Sequence, residues 1–309
     1  MSGTAPVPAV FDARVVAGYG RHFLVEDGDG TLYEAQRRGK RGDVVVGDRV
    51  RCRRAAPAQA AIESILPRTS LLMRADGARS KALAANVDRM VVVFAPRPAF
   101  NERFLWRALL AAEAAGIAPL AVLNKTDLDD DRAGAQALAR LAKLGCPTMA
   151  VSAKTTPGPA RLALREALGT ASSLLVGQSG MGKSTLINLL VPQANARTQE
   201  YSTRLNVGRQ TTTASRLFAL HGGGDIIDTP GFQAFGLAHL EPQRLAAAMT
   251  EFVPLLGRCR FNDCRHLSEP DCAIRAAVAA GSIEPARHAF YAELVAEMDA
   301  LRRHDPTRP

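Results

Sequence analysis

The stretch GQSGMGKST at residues 177–185 constrains this chain more than any other. It fits G-x-x-x-x-G-K-[ST], with Gly177, Gly182, Lys183 and Ser184 at the constrained positions. SSLLV just before it predicts a buried strand, and TLINLL from Thr185 onward predicts a helix. A strand must therefore stop, and a helix start, within a few residues, while the intervening backbone N–H groups converge on phosphate oxygens. Glycine supplies the positive φ values and the close backbone approach that this needs. The new helix adds unpaired N–H donors and the positive end of its dipole. The candidate binding residues are thus Gly177, Gln178, Ser179, Gly180, Met181, Gly182, Lys183, Ser184 and Thr185. Lys183 can reach the β- and γ-phosphates, and Ser184 can ligate Mg²⁺.

The surrounding sequence predicts an α/β domain around this loop. VDRMVVVFAP, IAPLAVLNKTDL and CPTMAVSAK read as strands, separated by the helical segments FNERFLWRALLAAEAAG and RAGAQALARLAKLG, with ARLALREAL as a further helix. Such alternation marks a mostly parallel sheet covered by helices. SRLFAL and GDIID, beyond the loop, read as two more strands.

Residues 10–68 have a different character. Five short alternating segments separated by Gly and Asp-Gly turns predict a small closed barrel, with an OB-fold as the first expectation. Residues 37–54 carry Arg37, Arg38, Lys40, Arg41, Arg49, Arg51, Arg53 and Arg54, opposed within the segment only by Asp43 and Asp48. Arg37, Arg38, Lys40, Arg41, Arg51, Arg53 and Arg54 are the candidate RNA contacts, with Tyr19, Phe23 and Tyr33 as aromatic candidates. The formal charge of +9 and pI near 9.7 agree with a polyanionic partner. Residues 66–86 read as a basic linker.

The tail holds Cys259, Cys264, His266 and Cys272 in the spacing C-x4-C-x-H-x5-C. Three thiolates and one imidazole complete a closed tetrahedral site, the mark of structural zinc. Cys52 and Cys146 have no such neighbours and read as core residues. The N-terminus lacks the basic and apolar regions of an export signal, and no apolar run is long enough to span a bilayer, so a cytoplasmic protein without disulfides is expected. The whole reads as a barrel at 1–68, an α/β domain at 69–238 that includes the linker, and a mostly helical zinc-binding domain at 239–309.

Four short motifs fall at strand ends, where α/β sheets bind ligands. Asn124, Lys125, Thr126 and Asp127 form NKTD, which resembles the guanine-reading motif of the Ras-like GTPases. The resemblance implies that Asp127 accepts from the guanine N1 and exocyclic amine, that Lys125 stacks along the base, and that Asn124 ties this loop to the phosphate loop. Ser152, Ala153 and Lys154 form SAK, which in the same proteins meets the guanine O6 through a backbone N–H. DTPG matches D-x-x-G, which puts Asp228 at the Mg²⁺ water shell and the Gly231 N–H at the γ-phosphate. Thr211, Thr212 and Thr213 occupy the place of the Mg²⁺-ligating switch threonine, with Thr212 or Thr213 favoured.

The order of these motifs is permuted. A Ras-like domain runs phosphate loop, switch Thr, D-x-x-G, N-K-x-D, SAK; here NKTD and SAK come first. The chain therefore resembles a circularly permuted GTPase, and across nearly its whole length it resembles the bacterial ribosome small-subunit-dependent GTPase A family. That resemblance implies GTP binding and hydrolysis to GDP and phosphate, stimulated by the small ribosomal subunit, a role late in that subunit's maturation, and a grip on ribosomal RNA by the barrel and zinc domains. It implies Mg²⁺ held by Ser184, Thr212 and Asp228, one structural zinc, and a monomer acting without a membrane. Lys183, Thr212, Thr213, Asp228, Gly231 and Gln210 are then the candidate catalytic residues.

Two positions depart from the pattern. Phe232 stands just after D-x-x-G, where Ras-like enzymes place a water-orienting glutamine. Gln210 stands where many relatives carry a histidine before the threonine run; its amide can orient water but cannot act as a base at neutral pH. These favour slow intrinsic turnover. They also sustain a second reading, an RNA-binding assembly scaffold for which GTP is a rarely hydrolysed regulatory ligand. A phosphate-loop ATPase is a third reading, opposed by NKTD.

Overall fold

The computed structural model describes residues 9–37, 43–76, 79–194, 198–199, 201, 215–229, 235–237 and 240–304. Arg38, Lys40, Arg41, Gln210, Thr211, Thr212, Thr213, Gly231 and Phe232 lie outside these residues.

Five strands, β1 (Val10–Tyr19), β2 (His22–Asp27), β3 (Leu32–Arg37), β4 (Arg49–Ala56) and β5 (Gln59–Ile65), form the N-terminal barrel. Their order is β1–β2–β3–β5–β4, and pairing of β4 back onto β1 closes it. Only β3 and β5 run parallel, the arrangement of an OB-fold. Along β4 and β5 alternation decides which side chains enter, burying Val50, Cys52, Ala60 and Ile62, while Val15 of β1 and both Leu24 and Val25 of β2 are fully buried. Burial pushes the Cys52 thiol up to about 12, as suits an inert core residue.

Residues 71–85, read from sequence as linker, are instead a hairpin. Strands β6 (Leu71–Asp76) and β7 (Arg79–Ala85) pair antiparallel as a separate two-stranded sheet. Leu72, Leu83 and Ala84 are buried beneath it, so the apolar alternation outweighs the basic residues that suggested a solvated connector.

The α/β domain follows with β8 (Arg89–Phe94), α1 (Glu102–Ala114), β9 (Ala118–Leu123), α2 (Ala133–Lys143), β10 (Thr148–Ala150), α3 (Pro157–Leu168), β11 (Ser172–Val176), α4 (Lys183–Leu190), β12 (Ser215–Ala219) and β13 (Asp225–Asp228). The sheet order is β10–β9–β8–β11–β13–β12, parallel except for β12. Central strands such as β11 are buried on both faces and hence continuously apolar or small. The permutation has a visible joint. Gly169, Thr170 and Ala171 connect α3 directly to β11, and left-handed Gly169 (φ 56°) closes the helix. Chain ends that lie close together on such a domain need only this short splice.

The barrel and the α/β sheet share strands, which the sequence did not suggest. β1 pairs with β4 along Val10, Phe11, Asp12, Ala13 and Arg14, then, past a bulge at Val15/Ala17, pairs with β12 through Ala17 and Gly18. The result is one eleven-stranded sheet. Arg14 reinforces the junction by donating to both carboxylate oxygens of Asp225 (2.5 and 3.3 Å) and to Ser172 Oγ (2.9 Å).

The C-terminal part contains α5 (Pro242–Ala247), α6 (Ala273–Ala279) and the long α7 (Pro285–His304) around the cysteine-bearing loop. Phe252, Ile274, Tyr291 and Val295 are buried in its core. No helix among the described residues is long and apolar enough to cross a membrane.

Candidate nucleotide site and metal centre

The end of β11 delivers the chain into the phosphate loop. Gly177 takes φ 155°, Gly180 79° and Gly182 92°. A Cβ on Gly177 would lie 2.3 Å from the Val93 carbonyl oxygen, and one on Gly182 would lie 2.3 Å from Asn124 Nδ2. Both glycines are therefore required sterically, and Gly182 also caps α4 in a left-handed conformation. Lys183 folds back over the loop, donating from Nζ to the carbonyls of Gly177 (2.6 Å) and Gln178 (3.0 Å). Ser184 and Thr185 are exposed at the first turn of α4, as are Ser179 and Gly180 in the loop, while Met181 is buried and anchors it.

Asp228 ends β13 beside the loop and is half-buried. Burial pushes its carboxyl up, against the opposing pull of Lys183 and Arg216; burial likewise lowers Lys183, against the pull of Asp228. Two cations thus face the carboxylate that D-x-x-G contributes. Arg216 was not foreseen. Its only sequence signal is its register opposite Asp228 across the β12–β13 pair.

NKTD lies against the same loop. Asn124, 2% exposed, donates from Nδ2 to the Met181 carbonyl (3.1 Å) and accepts from the Ala153 N–H (3.2 Å). One side chain thereby joins NKTD, SAK and the phosphate loop. Lys125 adopts a left-handed conformation (φ 59°) that turns its side chain across the loop, where Nζ donates to Gly180 O (2.7 Å) and Arg97 O (3.0 Å). Thr126 begins a single 3₁₀ turn and bonds through its N–H to Val151 O. Asp127 and Lys154 are exposed, and Ser152 Oγ donates to Asp127 Oδ1, orienting the carboxylate. Thr155 Oγ1 in turn donates to Ser152 Oγ (2.6 Å). Gln178 reaches the other way, accepting the Asn101 N–H (2.8 Å) at the start of α1.

The second cluster is in the tail. One ligand atom from each of Cys259, Cys264, His266 and Cys272 lies within 4.8 Å of all the others. His266 Nδ1 stands 3.5 Å from the sulfurs of both Cys259 and Cys272, which are 3.9 Å apart. Zn–S bonds of about 2.3 Å give a tetrahedral edge of roughly 3.8 Å, so the donor set fits a four-coordinate metal. The left-handed conformation of His266 (φ 62°) turns the chain so that this ring faces the thiols. Burial lowers the His266 pKa, keeping the imidazole neutral as a ligand must be. Burial, with added repulsion from neighbouring thiols, pushes Cys264 up to about 12, so a cation is needed to make it a thiolate. Glu269, unremarked in the sequence, organises the loop. Burial works against its charge, but the backbone N–H groups of Glu269, Arg265, Leu267 and Ser268 outweigh this and hold it down to about 2.

The basic face of the barrel is more internally satisfied than its sequence implied. Arg51 forms a two-pronged pair with Asp12 (2.9 and 3.1 Å), Arg53 pairs with Glu63 (2.5 Å), and Arg54 donates to Tyr33 Oη (2.7 Å). Asp12 and Glu63 come from neighbouring strands, which a reading confined to residues 37–54 could not weigh. Asp48 is not part of this face: it is fully buried and bound by Arg68 (2.7 and 2.8 Å). Arg37 is half-buried at the end of β3. Phe23 and Tyr33 are buried, leaving Tyr19 as the exposed aromatic of the three.

The model of the RsgA GTPase family matches residues 65–238, more than half of the chain. The chain belongs to the RsgA GTPase family. It is 51% identical over 306 residues to the small ribosomal subunit biogenesis GTPase RsgA of Paraburkholderia xenovorans (strain LB400), covering 97% of each chain. It is 49% identical to the RsgA of Burkholderia pseudomallei (strain K96243), over 94% of this chain and 93% of that one. Among solved structures, YjeQ from Thermotoga maritima superposes with a TM-score of 0.71 at 29% identity, over 94% of this chain and 99% of that one. YloQ, described as a circularly permuted GTPase, shares the fold with a TM-score of 0.68 at 24% identity and 99% coverage of both chains. RsgA family membership agrees with the permuted motif order, the barrel and the Cys3His cluster.

Proposed function

We propose that the chain is a GTPase that binds the small ribosomal subunit and acts in its late maturation, with hydrolysis accelerated by the subunit. The observation that carries this is the convergence of NKTD, SAK and the phosphate loop on Asn124, in an RsgA family member. The relatives' printed name, small ribosomal subunit biogenesis GTPase, supports the partner.

In this reading Asp127, held by Ser152, selects guanine, because an adenine would leave the carboxylate without its two donors. Asn124 and Thr126 position that reading edge, Lys125 stacks along the base, and a backbone N–H from among Ser152, Ala153 and Lys154 meets the guanine O6. Gly177, Gln178, Ser179, Gly180, Met181 and Gly182 cradle the phosphates, with Ser184 and Thr185 at the helix start. Lys183 exchanges the loop carbonyls it now holds for β- and γ-phosphate oxygens. Ser184, Thr212 and Asp228 are the residues that would hold Mg²⁺, with Thr213 as the alternative switch ligand; the ion, when bound, offsets charge on the phosphates. Water attacks the γ-phosphorus in line, the bond to the β–γ bridging oxygen breaks, and GDP and phosphate leave. Gly231 offers its N–H to the γ-phosphate. Gln210 is the residue available to orient the water, since Phe232 cannot.

The tail is proposed to bind one structural zinc through Cys259, Cys264, His266 and Cys272. The barrel at 1–68 and the zinc domain at 239–309 flank the GTPase domain and contact ribosomal RNA, with Arg37, Arg38, Lys40, Arg41, Arg51, Arg53 and Arg54 as candidates in the barrel. The protein acts as a monomer in the cytoplasm. Phe232 and Gln210 favour the scaffold reading, in which the nucleotide seldom turns over; Lys183→Ala that fully complements a deletion while binding no nucleotide would favour it over the enzyme. Asp127→Asn tests the site itself: it is expected to move preference from guanine to xanthine nucleotides, and unchanged selectivity for GTP would remove Asp127 from its role.

A further inference from the structure

Helix α1 touches three parts of the machine at once. At its start, the Asn101 N–H bonds to Gln178 of the phosphate loop. One turn in, Phe104 packs on Phe235 with ring centroids 5.8 Å apart. On another side of the helix, Trp106 meets Phe290 of α7 at 5.4 Å, and the Arg287 guanidinium lies 5.1 Å from the Trp106 ring centre while pairing with Glu251 (2.7 Å). Helices α1 and α7 are thus locked together by a desolvated apolar and cationic contact.

Phe235 is the first described residue after the D-x-x-G loop, four positions beyond Gly231. It is fully buried, and its segment is fixed from the other side by the β6–β7 hairpin: Gly236 N–H donates to Met73 O (3.2 Å). A Cβ on Gly236 would come within 2.7 Å of the Arg74 backbone, so the segment has no slack toward the hairpin. Toward α1 it is held by Arg107. Arg107 Nη1 donates both to Phe235 O (3.4 Å) and to Glu297 Oε1 (3.1 Å), and Nη2 donates to Glu297 Oε2. One guanidinium, 19% exposed, is therefore shared between the exit of the D-x-x-G loop and the C-terminal helix. The neighbouring pair, Arg103 with Glu293, sits one turn earlier on both helices, is half-exposed at both ends, and makes no hydrogen bond to residues 235–237 among the described residues.

We propose that Arg107 and Glu297 form a positioning clasp: the C-terminal helix, acting through this pair, holds Phe235 and the segment at 235–237 that follows the D-x-x-G motif, and stimulation of turnover by the small subunit passes through it. While α7 keeps its place on α1, the guanidinium holds Phe235 O and so fixes the loop exit. An ion pair whose carboxylate remains open to solvent contributes little to stability, so the clasp's effect is on placement. The inference rests on the functional reading above for its partner, and on the geometry alone for the clasp.

The test uses the full chain, with GTP turnover measured with and without purified small ribosomal subunits. Arg107→Glu and Glu297→Arg are each expected to lower stimulated turnover about 10-fold, within the ordinary range of coupling between sites. Unstimulated turnover and GDP affinity stay within about twofold of the parent, and Arg107→Lys, which keeps a donor for Phe235 O and a charge for Glu297, retains most of the stimulation. Arg103→Glu, which disturbs only the outer pair, keeps it. Glu297→Gln serves should a reversal fail to fold. Reversed variants stimulated like the parent, an Arg107→Lys variant as poor as Arg107→Glu, or an equal loss in Arg103→Glu would each overturn the clasp. A parent that is not stimulated at all would instead overturn the functional reading. In that case amide exchange at residues 235–237 decides the clasp: faster exchange in Arg107→Glu and Glu297→Arg but not in Arg107→Lys supports it, and unchanged exchange refutes it.

Discussion

Asn124 is where the account is most exposed to a single substitution. Its amide satisfies the Met181 carbonyl on one loop and the Ala153 N–H on another, and the side chain is 2% exposed. Asn124→Ala leaves both backbone groups buried without that partner. An unsatisfied buried group costs about 1–3 kcal/mol, so the pair costs roughly 2–6 kcal/mol where the loops stay in place. In the nucleotide-free protein the two loops can part and admit water, relieving much of this. With nucleotide bound they must remain together. A penalty of about 2 kcal/mol in the bound state weakens affinity roughly 30-fold. Asn124→Asp sharpens the point. It keeps the acceptor for Ala153 but sets a carboxylate oxygen against the Met181 carbonyl, 3.1 Å from the present nitrogen. It is expected to bind no better than the alanine variant. Titration of a fluorescent guanine nucleotide, paired with thermal unfolding of the free protein, measures both effects. Affinity within about threefold of the parent for Asn124→Ala, or a well-tolerated Asn124→Asp, would refute the bridging role assigned to the amide.

Two further predictions concern the tail. Purified protein is expected to carry one zinc per chain; Cys264→Ala or chelation removes it and opens the loop around residues 258–272 to protease, since closed Cys3His sites contribute folding energy directly. Metal-free parent protein with unchanged protease resistance would contradict this. Glu269 makes the same loop acid-sensitive. Its folded pKa is depressed to about 2 from an ordinary value of 4.5, so its contribution is fully present above about pH 4.5 and is lost as pH falls toward 2. Glu269→Gln should lose that part of the acid transition while lowering stability at neutral pH, which urea titrations at several pH values would reveal.

The sequence made the chemistry legible more readily than the assembly. GQSGMGKST, NKTD and C-x4-C-x-H-x5-C are local patterns whose residue types follow from what they must hold, and their order disclosed the permutation. The five barrel strands were legible for the same reason: alternation and turns are short-range signals. The joining of β1 to β12 was not, because pairing Ala17 with Arg216 across about two hundred residues leaves no local trace. The Arg14–Asp225–Ser172 junction is invisible for the same reason. The β6–β7 hairpin had a signal, apolar alternation on both sides of Asp76-Gly77, which the arginines and lysine obscured. The barrel's charge was overstated because Asp12 and Glu63, partners of Arg51 and Arg53, lie outside the basic segment. Glu269 could have been suspected from its place inside a cysteine loop, where a carboxylate gathers otherwise unpaired N–H groups.

The central claim is that this chain couples guanine-nucleotide hydrolysis to the small ribosomal subunit. GTP turnover by the purified full chain, measured alone and with added small subunits, tests it most directly. The account predicts slow turnover alone, owing to Phe232, and a rise of at least about 10-fold with subunits, as charge-stabilising partners give other GTPases. Equal rates with and without subunits would contradict it.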